Sequence, residues 1–302
     1  MILSQSVFVK KSSFFAERYL VGEGKGKMDQ SASSFYDALA PMFDVMTDWE
    51  ARMAAEGPFL RGVLERSAAT RVLDAACGSG GHVLALAEWG YVAAGVDASP
   101  VMIEMARGKA AGRGLAAPLA VADLAGLSAL VGEGRAAEDD TAAVAQLAPY
   151  DAVLCLGNSL PHLQTQAELV QALRGMAAAL RPGGLLVLQN LNYDMRWQKQ
   201  PRWFAAQGGQ LDGREVLVWR FADYDRSAGQ IWFHIALFTK GEEGWQVAVH
   251  TTPHRPLLQR DLILALTEAG FENPRSFGRM VWPAEPYETE RSADLVIVAD
   301  RV

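Results

Sequence analysis

Three acidic residues close three apolar segments: Asp74 in VLDAACGSGG, Asp97 in GVDAS and Asp123 in VADL. Each segment reads as a buried strand, which brings its acid to one edge of a sheet. Taken singly, an acid in such a place is a helix cap or a solvated turn. Three at the ends of three successive strands point to one ligand. After Asp74, Gly78 and Gly80 permit a tight backbone turn, and the next helix opens with free N–H groups facing the same space. A glycine-rich turn of this kind also serves packing alone. Read as a dinucleotide fingerprint, G-x-G-x-x-G/A, it meets Val83 where Gly or Ala belongs, and Asp74 would oppose pyrophosphate charge.

An acid at this place suits a cation. S-adenosylmethionine carries an ammonium, a sulfonium and no phosphate, so Asp74 is expected beside its methionine end. Asp97 is placed for both ribose hydroxyls, and Asp123 for the adenine amino group with Leu124 beside the ring. Ala76, Ala98 and Met102 are neighbouring candidates for the same site. A further polar cluster opens where DAVLCLGNSLPHL turns from an apolar run to Gly157, Asn158, Ser159 and His162. Such residues are ordinary in turns. Beside three strand-end acids they become site candidates.

The elements that must position these residues alternate. Strands are expected over 70–76, 91–97, 117–123, 150–157 and 183–190, with helices over 81–90, 99–114 and 166–180. Ser99 and Pro100 form a helix start, and Gly90 a helix end. Such alternation implies a parallel, doubly wound α/β sheet whose ligand edge lies outside the strands' C-terminal ends. Ahead of it, 33–66 has helical spacing of apolar residues, with breaks expected at Pro41 and Gly57–Pro58. Residues 131–149 read as a surface loop with a short helix. Three antiparallel strands follow over 214–225, 229–240 and 244–255, then a helix over 259–271 and a buried strand over 293–300. The expected division is a flexible tail at 1–28, helices and ligand-binding core at 29–192, an antiparallel β insertion on the substrate side at 193–256, and a return to the core sheet at 257–302. The tail lacks a core-forming period, and Met28 is a candidate start.

The 302 residues carry a net charge of −7, which argues against nucleic acid or an anionic membrane as partner. No apolar run approaches the ~20 residues of a membrane span. With Cys77 and Cys155 as its only cysteines, the chain has no disulfide framework or cysteine zinc site, which fits a cytoplasmic protein. No metal is expected: His250 and His254 flank Pro253 without an acid at metal-like spacing and read as structural. Trp197, Trp203, Trp219, Trp232 and Trp245 are expected to pack the added sheet, one or two of them walling an amine pocket. The acidic run at 138–140 reads as solvated.

VLDAACGSGG, GVDAS, VADL and LRPGGLLVL resemble the successive motifs of class I S-adenosylmethionine-dependent methyltransferases, over roughly residues 33–192. The resemblance implies a seven-stranded Rossmann-like sheet whose last strand runs antiparallel, with FENPRSFG and ADLVIVAD as its closing pair. VLCLGNSLPHL followed by RPGGLLVLQNLNYD is similar to the pattern of glycine and glycine/sarcosine N-methyltransferases. It implies that Leu156, Gly157 and Asn158 border the cofactor's methionyl part and the reacting amine, with His162 supporting that wall. It further implies that Arg52 meets the cofactor carboxylate, that Tyr36 lies near the methyl group, and that Asn192, Tyr193 and Asp194 match the family's NYD.

One departure bears on substrate. The family's arginine directly before NYD, which clamps the glycine carboxylate, is Leu191 here. The acceptor is therefore expected to lack a carboxylate at that position; Arg196, Arg220 and Arg255 are the candidate substitute cations. The implied reaction moves a methyl group to the amine nitrogen of a small molecule and leaves S-adenosylhomocysteine. Tyr36, Asn158 and Tyr193 would orient the nucleophile, with His162 a weaker candidate for proton removal. Oxygen or carbon methylation, a non-catalytic binder of the cofactor and a nicotinamide dehydrogenase remain alternatives.

Overall fold

A computed structural model describes residues 31–131 and 140–302; the expected tail at 1–28 and most of the acidic run lie outside them. Among the described residues the first elements are helices α1 (Ala32–Met46) and α2 (Trp49–Arg66). The expected breaks at Pro41 and Gly57–Pro58 do not occur, for both prolines sit inside the helices. An interior proline costs about 3 kcal/mol, and burial of Leu39, Ala40, Phe59, Leu60 and Leu64 offsets it. The chain breaks instead at Thr47–Asp48, where the Asp48 carboxylate accepts the Ala51 N–H and starts α2.

The core alternates as expected: β1 (Arg71–Ala75), α3 (Gly81–Glu88), β2 (Val92–Asp97), α4 (Pro100–Arg113), β3 (Leu119–Val121), the short helices α5 (Leu127–Val131) and α6 (Asp140–Ala145), and β4 (Tyr150–Cys155). A single 3₁₀ turn at Leu160–His162, α7 (Gln166–Ala179) and β5 (Leu180–Leu191) complete that run. Sequence chemistry accounts for the ends of α4: the Ser99 side chain accepts the Met102 N–H, and Gly114 closes it at a φ of 64°.

After β5 come α8 (Tyr193–Lys199), β6 (Gln207–Leu211), β7 (Arg214–Asp225), β8 (Gln230–Gly241), β9 (Gly244–His254), α9 (Gln259–Glu268), β10 (Phe271–Phe277) and β11 (Asp294–Arg301). The main sheet has seven strands in the order β10-β11-β5-β4-β1-β2-β3. Strands β5 through β3 are parallel, while β11 runs antiparallel to both β5 and β10, as the resemblance implies. Alternate residues feed two cores. Leu73, Val153, Leu186 and Ile297 pack on one face, Val72, Ala152, Val187 and Val298 on the other.

A separate antiparallel sheet has the order β6-β7-β8-β9, one strand more than expected. Strand β6, QGGQL, shows no alternation of apolar residues and forms by pairing with β7. Val216, Val218, Ile235 and Leu237 on the inner face of this sheet pack against Phe35, Leu39 and Met42 of α1. Sheet order sets the site. The chain runs outward from β1 to β3, then returns to β4 on the other side of β1, leaving a crevice at the C-terminal ends of β1 and β4.

Candidate active site

That crevice opens into a cavity of about 490 Å³, closed on its far side by α1 and the inner face of the second sheet. Tyr36, Arg52, Ala76, Gly78, Asp97, Ala98, Met102, Asp123, Leu124, Leu156, Gly157, Asn158, His162, Arg196 and Arg220 line it. At one end the Asp97 carboxylate accepts the N–H groups of Gly78 (2.8 Å) and Ser99 (2.9 Å), which fixes its orientation at the rim of the glycine turn. Burial raises its carboxyl above the usual range. Asp123 Oδ1 accepts the Gly126 N–H at 2.6 Å and so is held at the end of β3.

At the other end, Gly157 and Asn158 take left-handed φ values of 76° and 68°. Two bonds to Gln189 of β5 hold this turn: its Oε1 accepts the Gly157 N–H at 2.8 Å and its carbonyl the Asn158 N–H at 3.1 Å. The Asn158 side chain accepts the Leu191 N–H at 3.0 Å and donates to Tyr193 Oη at 3.0 Å. The polar residues after β4 are thus fastened to the neighbouring strand, with one Asn158 amide hydrogen left for a ligand.

Tyr36 Oη lies 3.1 Å from Nε2 of His162, whose Nδ1 is 3.3 Å from Thr252 Oγ1. Burial raises the Tyr36 hydroxyl well above its ordinary value and lowers His162 to about 4. With His162 neutral and protonated on Nδ1, the Tyr36 hydroxyl donates a hydrogen bond to Nε2 and Nδ1–H donates to Thr252 Oγ1, which leaves the phenol's lone pairs for the cavity. His254, expected to be structural, lines the same wall. Its ring is 4.6 Å from His162 and stacks on Phe233, and its Nδ1 is 3.2 Å from Tyr193 Oη. Burial and the neighbouring imidazole hold it well below the usual histidine value. Only the inward register of β9 against β8 reveals its place.

Five expected site residues lie off the lining. Asp74 is buried beneath the cavity with neither oxygen hydrogen-bonded among the described residues, and its Oδ2 is 4.0 Å from His82 Nδ1. Burial, with lesser effects from nearby charges, lifts its carboxyl to about 6. Gly80 serves packing: at its φ of 83°, a Cβ would come 2.8 Å from the Ala106 Cβ. Asn192 is the N-cap of α8, and its amide donates to the carbonyls of Thr289 and Ser292. Tyr193 stands behind the wall, between Asn158 and His254. Arg255 reaches Gln166 Oε1 at 2.7 Å and does not face the cavity.

Sequence reasoning missed the support under Arg52. Its Nε pairs with Glu56 at 2.9 Å, Glu56 bonds His82 Nε2 at 2.8 Å, and Arg52 and His82 both pack on Trp49. None of the five tryptophans of the inserted region lines the cavity; Phe204 and Phe233 provide its aromatic wall there. The described residues hold no cluster of histidine, cysteine and acidic side chains fit to bind a metal, and no helix long and apolar enough to cross a membrane.

The residues at the Asp97 end suit S-adenosylmethionine. Asp97, Asp123 and Arg52 all line the cavity, two acids and a cation in one space.

Comparison with known proteins agrees. The methyltransferase-domain family profile matches residues 72–184. A glycine/sarcosine N-methyltransferase of Halorhodospira halochloris is 32% identical over 166 residues, 55% of this chain and 56% of that protein. One of Parasynechococcus marenigrum is 32% identical over 197 residues, 65% of this chain and 64% of that one. The matched segments thus span between about half and two thirds of these relatives. Among solved structures, an S-adenosylmethionine-dependent methyltransferase from Clostridium acetobutylicum superposes with a TM-score of 0.64 at 15% identity, covering 89% of this chain and 98% of that one. A sugar N-methyltransferase from Streptoalloteichus superposes with a TM-score of 0.61 at 23% identity, covering 100% and 98%. Residues 72–184 match the methyltransferase-domain family, and the chain has the fold of the S-adenosylmethionine-dependent methyltransferases.

Proposed function

We propose that the protein methylates the amine nitrogen of a small molecule, with S-adenosylmethionine as donor. The observation that carries this is one cavity with two chemically distinct ends. Asp97 and Asp123 stand at one, and Tyr36, Asn158 and His162 at the other. The names of the relatives, glycine/sarcosine N-methyltransferases, support nitrogen as the acceptor atom.

When bound, the cofactor supplies an electrophilic methyl carbon; the chain's own task is placement and exclusion of water. Asp97 would hold the ribose and Asp123 the adenine, while Arg52, already braced by Glu56, would meet the carboxylate. The turn at Gly157–Asn158, fixed to Gln189, would border the acceptor, and the Tyr36 oxygen would accept an amine N–H to aim its lone pair. His162, held at about 4, is too weak a base to take a proton from an alkylammonium, so the amine loses it to water before binding. Tyr36, Asn158 and His162 therefore act by orientation.

Calorimetry with S-adenosylhomocysteine against NAD, followed by turnover on a panel of amines, tests the proposal. Binding of S-adenosylhomocysteine and methylated amine products are the expected result. Binding of NAD alone would overturn it, and tight cofactor binding without turnover would leave a non-catalytic binder.

A further inference from the structure

Strand β7 presents Val216, Val218 and Ala222, all buried, on its inner face, and Arg220 stands among them, opposite Ile235 of β8. A guanidinium at an inward register position of an apolar face needs a partner. Arg220 has a single neutral one, Gln207 Oε1, 2.6 Å from its Nη2, while its Nε is buried and bonded to nothing among the described residues. Arg196, on α8, lies over the Phe204 ring at 4.6 Å, and its Nε is likewise buried and unpartnered.

Both line the cavity, and among the described residues neither has a carboxylate within 4.0 Å. The acid that reaches Arg196 electrostatically, Asp294, is hydrogen-bonded to Gln189 and acts only at longer range. Burial, with the Arg196 charge added, lowers Arg220 below the usual arginine value, and the side-chain partner of Arg196, the Tyr224 hydroxyl, is neutral. By contrast Arg52, the remaining cavity arginine, already has Glu56. Buried charge without a counter-ion is costly, and an anion brought by a ligand removes that cost.

We propose that the acceptor is an amine bearing an anionic group, carboxylate or phosphate, held between Arg196 and Arg220. The site lies on α8, after β5, and on β7, on the opposite side of the crevice from Asp97 and Asp123 at the ends of β2 and β3. That position keeps the anion on the acceptor side, away from the nucleoside. Leu191 lines the same wall, so the clamp comes from two other elements and not from the position before NYD. This replaces the expectation, drawn from Leu191, of an acceptor without a carboxylate. The inference rests on reading the cavity as a methyl-transfer site.

The test compares matched pairs: 4-(aminomethyl)benzoate with benzylamine, and 2-aminoethyl phosphate with ethanolamine, with S-adenosylhomocysteine formation as readout. The anionic member of at least one pair is expected to be favoured in kcat/KM by about tenfold or more, the scale of one charged hydrogen bond. Which pair shows the preference separates carboxylate from phosphate. Arg196→Gln and Arg220→Gln should each abolish the preference through KM while leaving S-adenosylhomocysteine affinity unchanged. Equal or better turnover of the uncharged members would overturn the clamp and leave N-methylation standing. If none of the four amines turns over, the melting temperature of the S-adenosylhomocysteine complex is compared in benzoate, phosphate and benzamide. A rise with an anion that Arg220→Gln removes supports the clamp, and no such rise overturns it. Failure to bind S-adenosylhomocysteine at all overturns the proposed function on which the clamp depends.

Discussion

The hydroxyl of Tyr36, on α1, lies 3.1 Å from Nε2 of His162, on the 3₁₀ turn after β4, so a helix outside the sheet and the mouth of a central strand share one hydrogen bond. If that bond aims the phenol oxygen at the acceptor, Tyr36→Phe should lower kcat/KM about 10- to 100-fold, the scale of a misoriented nucleophile. S-adenosylhomocysteine affinity should stay within about twofold, since one neutral hydrogen bond outside the nucleoside end is lost. Unchanged turnover would remove Tyr36 from the reaction.

Asp97 is held by the Gly78 and Ser99 N–H groups and lines the cavity. Asp97→Ala should weaken S-adenosylhomocysteine binding by about 1–3 kcal/mol, the range for charged hydrogen bonds. Calorimetry on the folded variant measures this, and an unaltered affinity would place the ribose elsewhere.

Asp74 makes stability depend on pH with a definite sign. Its carboxyl, raised to about 6 by burial, holds its proton more tightly folded than unfolded, where it titrates near 3.9. The ligand-free protein therefore loses stability as pH rises from about 4 to 6, by roughly 2–3 kcal/mol in all. Asp74→Asn should be more stable than the unmodified protein at pH 7, with the difference vanishing near pH 4. Denaturant titrations across that range check it; parallel curves for the two proteins would mean that Asp74 is not desolvated.

Asp151 has the opposite sign. Burial alone would raise its carboxyl, but bonds from the N–H groups of Arg71 and Thr70, the Thr70 hydroxyl and the Arg181 guanidinium hold it well below the carboxylate range. Its contribution is present above the unfolded value and is lost as pH falls through the folded one. Because it ties the start of β1 to β4 and β5, Asp151→Ala should cost about 3–5 kcal/mol, the scale of breaking a buried ion pair. Thermal unfolding at pH 7 reads it; a loss under about 1 kcal/mol would class it with exposed pairs.

Gly80 tests packing apart from binding. A side chain there meets Ala106 across the start of α3 at a left-handed φ, so Gly80→Val should destabilise by about 2–4 kcal/mol through strain and overpacking. Affinity for S-adenosylhomocysteine, measured well below the variant's melting temperature, should fall less than in Asp97→Ala.

The sequence by itself determined the strands and the acids that end them. Strands β1, β2, β4, β5 and β11 are buried on both faces, so they read as unbroken apolar runs; Asp74 and Asp97 lie at the ends of two of them, and Asp123 two residues past β3. Local patterning also placed the caps of α4, while the antiparallel closing pair followed from the family resemblance. Tertiary structure decided what no local pattern encodes. Strand β6 exists because β7 offers it a ladder, and the prolines of α1 and α2 are carried by burial. His254 joins the cavity because β9 pairs with β8 in an inward register, and Asp74 loses its water because the sheet closes over it. Arg196 and Arg220 stand 24 residues apart in the chain and line one cavity, without a carboxylate within 4.0 Å among the described residues, only because the second sheet packs over α1. Periodicity reports which face of an element is buried; which side chains share a cavity, and which charges there lack a partner, depends on how separate elements pack.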